Sequence, residues 1–213
     1  MTFACMRPQR QITLLEAYQK YSNKSEFHVG DAVRWKRGLK YRSVPKEDEV
    51  GVVTEVLEKP IYDPTVKSAG EQLYREPLTL RVALVFNSVC FEFYLDGSRL
   101  EVVPPDQLTP AQRDQADTLR NFAEKLTMKR EQLKPGDVVR WKAGMKNAKR
   151  PDYGQKCVVI EAYPAYRSER RGACATGFLE PNDVRIALID SDSDVMLFTF
   201  DSRRFETVPE SEL

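Results

Sequence analysis

The sequence is poor in the residues on which most catalytic and metal sites depend. Only one histidine is present, His28, and the four cysteines are scattered without a CxxC pair. Zinc sites and Cys–His or Ser–His catalysis draw on histidine, so these enzyme classes are disfavoured. We therefore expect no enzymatic activity, no metal site and no cofactor, and we expect His28 to have a structural or solvent-facing role.

Long apolar runs and a large excess of one charge are also absent. No stretch approaches the roughly 20 apolar residues of a membrane span, and the first residues lack the apolar core of a secretion signal. The net charge is +1, so a nucleic-acid-binding protein of this composition would need a local basic patch. The scattered cysteines favour reduced thiols, and we expect a cytoplasmic protein without membrane contact.

What the chain does contain is an internal duplication. The stretch GDAVRWKRGLK at 30–40 returns as GDVVRWKAGMK at 136–146. Three further segments recur in the same order, at an offset of about 105 residues. They are VGVVTEV with QKCVVIEAY, LRVALVF with VRIALID, and FYLDGSRLEVVP with FTFDSRRFETVP. A period as long as a domain indicates two tandem domains rather than a solenoid.

Each copy has the pattern of short strands separated by turns. In the first copy, apolar Val33 and Trp35 alternate with basic Arg34 and Lys36. The second copy repeats this alternation with Val139, Arg140, Trp141 and Lys142. A period of two puts the apolar side chains on one face and the cations on the other. Short strands with one apolar face favour closure into a small β-barrel.

A segment whose apolar residues recur at helical spacing precedes each copy. Residues 8–22 carry an apolar stripe, and residues 109–133 carry a second stripe after a capping threonine and a proline. The first stripe consists of Leu14, Leu15, Tyr18 and Tyr21. We interpret both stripes as packing surfaces rather than partner grooves. We predict a mainly β fold with helices, in two domains: 1–105 with a barrel at about 28–104, and 106–213 with a barrel at about 134–210.

A family resemblance rests on several of these segments. A VGD-V-W opening, a GVV-EV strand, the Tyr74-x-Glu76-Pro77 motif, an LRVAL strand and an acidic–aromatic hairpin resemble the SH3-like small barrels. Within that group the chain is similar to the YccV-like domain, a heat-shock family also described as binding hemimethylated DNA. It is more weakly similar to the barrel of nitrile hydratase β chains. The resemblance implies an SH3-like barrel in each copy, and we carry over the fold alone.

The two basic stretches are the first candidates for a binding surface. Their cations are Arg34, Lys36 and Lys40 in the first copy, and Arg140, Lys142 and Lys146 in the second. Cations beside an aromatic ring can hold phosphates while the ring stacks on a base. The alternative is a solvated strand face with Trp35 and Trp141 in the barrel cores, and the alternation favours this interpretation.

Long loops at about 58–78 and 163–182 differ most between the copies, and such loops on small scaffolds often bind ligands. The second loop concentrates Tyr166, Arg167, Arg170 and Arg171, a set suited to phosphate or carboxylate groups. A solvated loop is an equally open interpretation. The acidic stretch DSDSD lacks the glycine and glutamate of a calcium loop, so we expect a polar hairpin turn there.

The DGSRLE and DSRRFE segments pair a carboxylate with an arginine three residues later. These pairs are Asp96 with Arg99 and Asp201 with Arg204. We favour a structural turn lock over a ligand-facing arginine.

These patterns favour a non-catalytic binding or adaptor protein that recognises a protein partner. Two linked barrels raise the effective concentration for a bivalent partner. The alternative is a nucleic-acid-binding protein that uses the paired basic stretches and the 163–171 loop. Basic stretches on one shared face would favour nucleic acid, whereas an exposed apolar patch would favour a protein partner.

Overall fold

The computed structural model describes residues 12–47, 49–63, 66, 68–71, 74–86, 88–127, 132–169 and 179–212. The first half contains α1 (Leu14–Ser22), β1 (Ala32–Trp35), β2 (Gly51–Ile61), β3 (Leu78–Phe86), β4 (Val89–Leu95) and β5 (Leu100–Val102). The second half contains α2 (Pro110–Thr127), β6 (Val138–Trp141), β7 (Cys157–Glu169), β8 (Leu179–Ile189), β9 (Val195–Phe200) and β10 (Phe205–Thr207). Short 3₁₀ turns at Gly97–Arg99 and Ser202–Arg204 precede β5 and β10.

The strands form two antiparallel five-stranded sheets with the same topology. Sheet 1 has the order β4-β3-β2-β1-β5, and sheet 2 has the order β9-β8-β7-β6-β10. Within the described residues, the end strands β4 and β5 do not pair with each other, nor do β9 and β10. The sheets are therefore open, and the expectation of closed barrels is wrong in this respect. The three-residue strands β5 and β10 pair only with β1 and β6.

The duplicated tryptophans lie inside the two halves. Trp35 is 4% exposed and Trp141 is 3% exposed. Each indole Nε1 donates to a proline carbonyl ten residues later, Trp35 to Pro45 at 2.7 Å and Trp141 to Pro151 at 2.8 Å. A buried indole N–H needs such a partner because leaving it without one would cost desolvation energy. The strand and the loop that follows it are thereby held together identically in both copies.

Helix α2 packs on sheet 1, although the sequence suggested that it belongs to the second domain. Its residues Leu119 and Phe122 share one apolar core with Val52 and Ala83 of sheet 1. Met145 of the second half joins the same core. The predicted boundary at 105/106 therefore separates α2 from the sheet that it covers, and the two halves share buried surface.

Polar contacts connect the same two halves. Arg203 of the second half forms an ion pair with Glu92 of β4, with 3.2 Å between Nη2 and Oε2. Arg204 is 2% exposed, and its Nη1 donates to the carbonyl of Met145 at 3.0 Å and to that of Cys90 at 3.4 Å. Because a buried guanidinium is costly unless it finds acceptors, these carbonyls fix the relative position of the halves.

Helix α1 is capped locally and exposes most of its apolar side chains. Thr13 and Glu16 form a reciprocal capping box at its start. Leu14 is 91% exposed, and Leu15 and Tyr18 are 65% and 66% exposed. The interpretation of this stripe as a packing surface within the chain is therefore wrong for these three residues. In the described part of the chain, neither helix is long and apolar enough to cross a membrane.

The packing of α2 predicts a large difference between two equivalent leucines. Leu119→Ala removes a side chain that is fully buried between α2 and sheet 1, and we expect it to lower the free energy of unfolding by about 2–5 kcal/mol. Leu14→Ala, at the matching position of α1, is the control and should change it by less than about 0.5 kcal/mol. Urea unfolding followed by tryptophan fluorescence measures both, and equal effects would contradict the assigned packing.

Candidate functional site

The cations of the first basic stretch are largely used within the chain. Arg34 forms an ion pair with Glu101 of β5, with 2.7 Å between Nε and Oε1. Lys36 is buried, and its Nζ donates to the carbonyls of Lys20, Asn23 and Ser98. Burial lowers the pKa of Lys36. Lys40, by contrast, is exposed.

The second basic stretch follows the same plan. Arg140 forms ion pairs with Glu206 and Glu212, and Lys142 donates to the carbonyl of Arg203 at 3.1 Å. Lys146 lies 3.0 Å from Asp152 and also faces the ring of Tyr153. Base stacking requires an exposed aromatic ring beside cations that are free to bind phosphate. Both tryptophan rings lie in the cores, so the tryptophans of the two stretches do not provide such a ring.

The Asp-x-x-Arg segments form equivalent capped turns with different ion pairs. Asp96 Oδ1 accepts from the backbone N–H of Ser98, and Asp201 Oδ1 accepts from that of Arg203. Asp201 forms its ion pair with Arg203 at 2.7 Å rather than with Arg204, whereas Asp96 and Arg99 are 3.8 Å apart. The carboxylates thus order these turns, and Arg204 serves the contact between halves.

Sequence reasoning missed a buried charge cluster in the first half. The side chains of Arg42 and Glu76 are 3% and 7% exposed, and Arg42 Nη2 lies 3.7 Å from Glu76 Oε2. Arg99 Nε donates to the other oxygen of Glu76 at 2.7 Å, and its guanidinium stacks over Tyr41. Burial raises the pKa of Glu76, opposed by the charge of Arg99. These contacts join the loop that carries Tyr41 and Arg42 to Glu76, just before β3. In the second copy, Ala148 stands in place of Arg42.

The segment predicted as the second long loop is partly strand, since β7 runs through Glu169 and β8 begins at Leu179, so the loop prediction is wrong for 163–169 and 179–182. Tyr166 and Arg167 lie on β7, and their backbones pair with Asn182 and Pro181 of β8. Arg170 and Arg171 lie outside the described residues. Whether these four residues bind a ligand stays a prediction.

The acidic stretch at 190–194 forms a turn between β8 and β9. Asp190 Oδ1 accepts from the backbone N–H groups of Asp192 and Asp194. Among the described residues, no group of three or more His, Cys, Asp or Glu side chains is placed to hold a metal ion.

Besides α1, an exposed apolar surface lies on sheet 2, on the side away from its core. Cross-strand pairing puts Val138, Val158, Ala187 and Leu197 in one row across β6, β7, β8 and β9. Beside this row lie Ile160 of β7 and the pair of Ile189 and Val195. We call this surface the outer face of sheet 2; its exposed members are Val158 (40%), Ile160 (41%), Ile189 (63%), Val195 (67%) and Leu197 (44%).

The equivalent face of sheet 1 is covered. Pairing there gives the matching row of Ala32, Val52, Ala83 and Glu92. Ala32, Val52 and Ala83 are at most 2% exposed because α2 packs on them. The same side of the same topology is therefore buried by a helix in the first half and open to solvent in the second.

Comparison with protein-family models, curated proteins and solved structures found no significant match. The resemblance to YccV-like domains and to the nitrile hydratase barrel accordingly stays a prediction.

The apolar character of the outer face of sheet 2 can be predicted by comparing the two copies position by position, although not from strand alternation alone. The repeat aligns Leu197 with Glu92 and Ile160 with Thr54. Apolar residues at positions that are polar in the other copy indicate a surface with a different role in each half. Strand alternation predicts a polar outer face for both sheets and does not distinguish the two copies.

The buried thiol of Cys157 predicts a specific pH dependence. Cys157 is 1% exposed, and burial raises its pKa to about 11. Because the unfolded thiol ionises first, the folded state should lose stability as the pH rises from about 9 to about 11, by up to about 2 kcal/mol. Urea unfolding at several pH values measures this loss. The difference between wild type and Cys157→Ala isolates it from lysine and tyrosine titration, and parallel pH profiles would contradict it.

Proposed function

We propose that the protein is a non-catalytic binding protein that recognises a protein partner through the outer face of sheet 2. The observation that supports this proposal most strongly is the exposure of five large aliphatic side chains on one side of one sheet. Soluble proteins rarely expose contiguous apolar surface without a use for it, and such patches mark sites of association. We further propose that each five-stranded sheet belongs to the SH3-like class, as the resemblance implies, although its end strands do not pair among the residues that the structure describes.

The chain itself suggests the kind of element that the partner supplies. In sheet 1 the same face is covered by the amphipathic helix α2, through leucine, phenylalanine and alanine side chains. A helix that lays an apolar stripe on a complementary surface is a common mode of recognition. The partner therefore contributes an amphipathic helix, which lies across β7, β8 and β9.

Several observations weigh against the nucleic-acid alternative. Arg34 and Arg140 are paired with carboxylates, Lys36 is buried on backbone carbonyls, and both tryptophan rings are in the cores. Phosphate binding draws its free energy from cations that are free to displace counterions. These contacts favour a role of Arg34, Lys36 and Arg140 in the fold over a role in phosphate binding.

Site-specific photo-crosslinking tests the proposed surface. A photoreactive amino acid replaces Leu197 in the full chain, expressed in the cells that produce the protein. Position 56 is the control, since Val56 is similarly exposed at 45% but lies on sheet 1. We expect a discrete crosslinked product from position 197, lost when Ile189→Lys puts a charge on the same face. Products of equal yield from both positions, or products insensitive to Ile189→Lys, would contradict the proposal.

Fluorescence anisotropy tests the nucleic-acid alternative directly. With generic single- and double-stranded DNA and RNA at physiological salt, we expect dissociation constants no tighter than about 100 µM, the weak end of non-specific binding. Charge reversal at the exposed residues Lys40 and Lys149 should leave these dissociation constants unchanged. Binding near 1 µM that weakens steeply with salt, and that is lost in the Lys40→Glu/Lys149→Glu variant, would replace the protein-binding proposal with the nucleic-acid one.

A further inference from the structure

The two helices dock on their own halves in the same way. Lys20 of α1 donates from Nζ to the carbonyl of Arg37 at 3.2 Å, and Lys125 of α2 donates to the carbonyl of Ala143 at 3.0 Å. The acceptors occupy matching places after the RWK strands. Because this docking is conserved between the two copies, α1 presents towards solvent the side that α2 presents towards sheet 1.

The exposed side of α1 therefore corresponds to a side that is buried in α2. The repeat aligns Leu14 with Leu119, which are 91% and 0% exposed. On α2 this side covers the row of Ala32, Val52 and Ala83. The matching row on sheet 2 is the uncovered outer face. Within the described residues, one helix, α1, covers no sheet face, and one sheet face, on sheet 2, is covered by no helix.

The uncovered sheet face is more apolar than its covered counterpart, and the uncovered side of α1 gains apolar surface beside Leu14, although Ala17 stands in place of Phe122. On the helix, Leu15 and Tyr18 replace Arg120 and Ala123. On the sheet, Leu197 and Ile160 replace Glu92 and Thr54. If these surfaces simply faced water, polar residues would be expected at such positions. The change towards apolar side chains on both sides gives two surfaces that can bury each other.

We infer that α1 of one copy of the protein docks on the outer face of sheet 2 of a second copy, repeating between molecules the packing of α2 on sheet 1. The inference rests on the proposed function, since it uses the same face, and it names the source of the helix. Leu14 occupies the place of Leu119, and Leu15 and Tyr18 lie beside it.

This association joins two different surfaces, so it is heterologous. In a dimer the copy that supplies the helix keeps a free sheet face, and the copy that supplies the sheet keeps a free helix, so further copies add head to tail, in a chain or a closed ring. Helix α1 has nine residues, whereas α2 has 18. A helix of nine residues is only about 14 Å long, so we expect the contact to be smaller than the roughly 1,200–2,000 Å² of stable interfaces. We therefore expect association in the range of tens to hundreds of micromolar.

Sedimentation of two surface variants tests the inference. Leu14→Glu places a charge on the helix, and Ile189→Lys places one on the sheet face; both side chains are mostly exposed, so neither change disturbs the core. Wild type should show an average mass that rises between about 10 and 500 µM, a range set by the expected weak interface. Each variant alone should remain monomeric. Val56→Lys, an exposed sheet 1 position, is the matched control and should associate like wild type.

An equimolar mixture of the two variants is the decisive measurement. The Leu14→Glu copy keeps an intact sheet face and the Ile189→Lys copy keeps an intact helix, so the mixture should form dimers and stop at twice the monomer mass. A mixture that stays monomeric, variants that still associate alone, or a monomeric wild type would each overturn the inference.

Crosslinking from position 197 in the Leu14→Glu background separates the inference from the proposed function. A monomeric wild type together with a persisting crosslink to another protein would overturn self-docking and leave the proposed function standing. Loss of both self-association and crosslinking would overturn the self-docking inference and the proposed function together. Self-association with no other crosslinked protein would identify the second copy as the partner.

Discussion

The burial of α2 between the two halves is the contact on which the rest of the structure depends. A five-stranded sheet with one face on its own core still has a second face, and in sheet 1 that face is alanine and valine. Leu119 and Phe122 cover it, and Met145 closes the end of the same core. Arg204 then binds carbonyls on both sides of the junction, so apolar burial and hydrogen bonding place the halves together.

The structure shows which contacts the two basic stretches make within the fold. Alternating cations look like a ligand surface when only their spacing is known. In the folded chain, Arg34 and Arg140 bridge to the neighbouring short strand, and Lys36 and Lys142 close the 3₁₀ turn that leads into it. These contacts recur in both copies, so the stretch joins β1 to β5 in the first half and β6 to β10 in the second.

Much of the fold could be predicted from the sequence, because strand alternation and the repeat are local signals. The buried tryptophans, the capped turns at Asp96 and Asp201 and the two helices follow from such signals. The assignment of α2 did not, since an apolar stripe at Leu119 does not say which of two sheets it covers. The Arg42–Glu76 cluster and the outer face of sheet 2 depend on contacts between distant segments, and only a comparison of the two copies position by position pointed to the latter.

The shared core also has a consequence for how this chain can be divided. A cut between the two repeats, where sequence similarity places it, removes α2 from the first fragment and exposes Val52 and Ala83 to water. A fragment that keeps Val52 and Ala83 covered by α2 must run at least through Thr127, although α2 belongs to the second repeat. Here the unit of duplication and the unit of folding are offset by one helix.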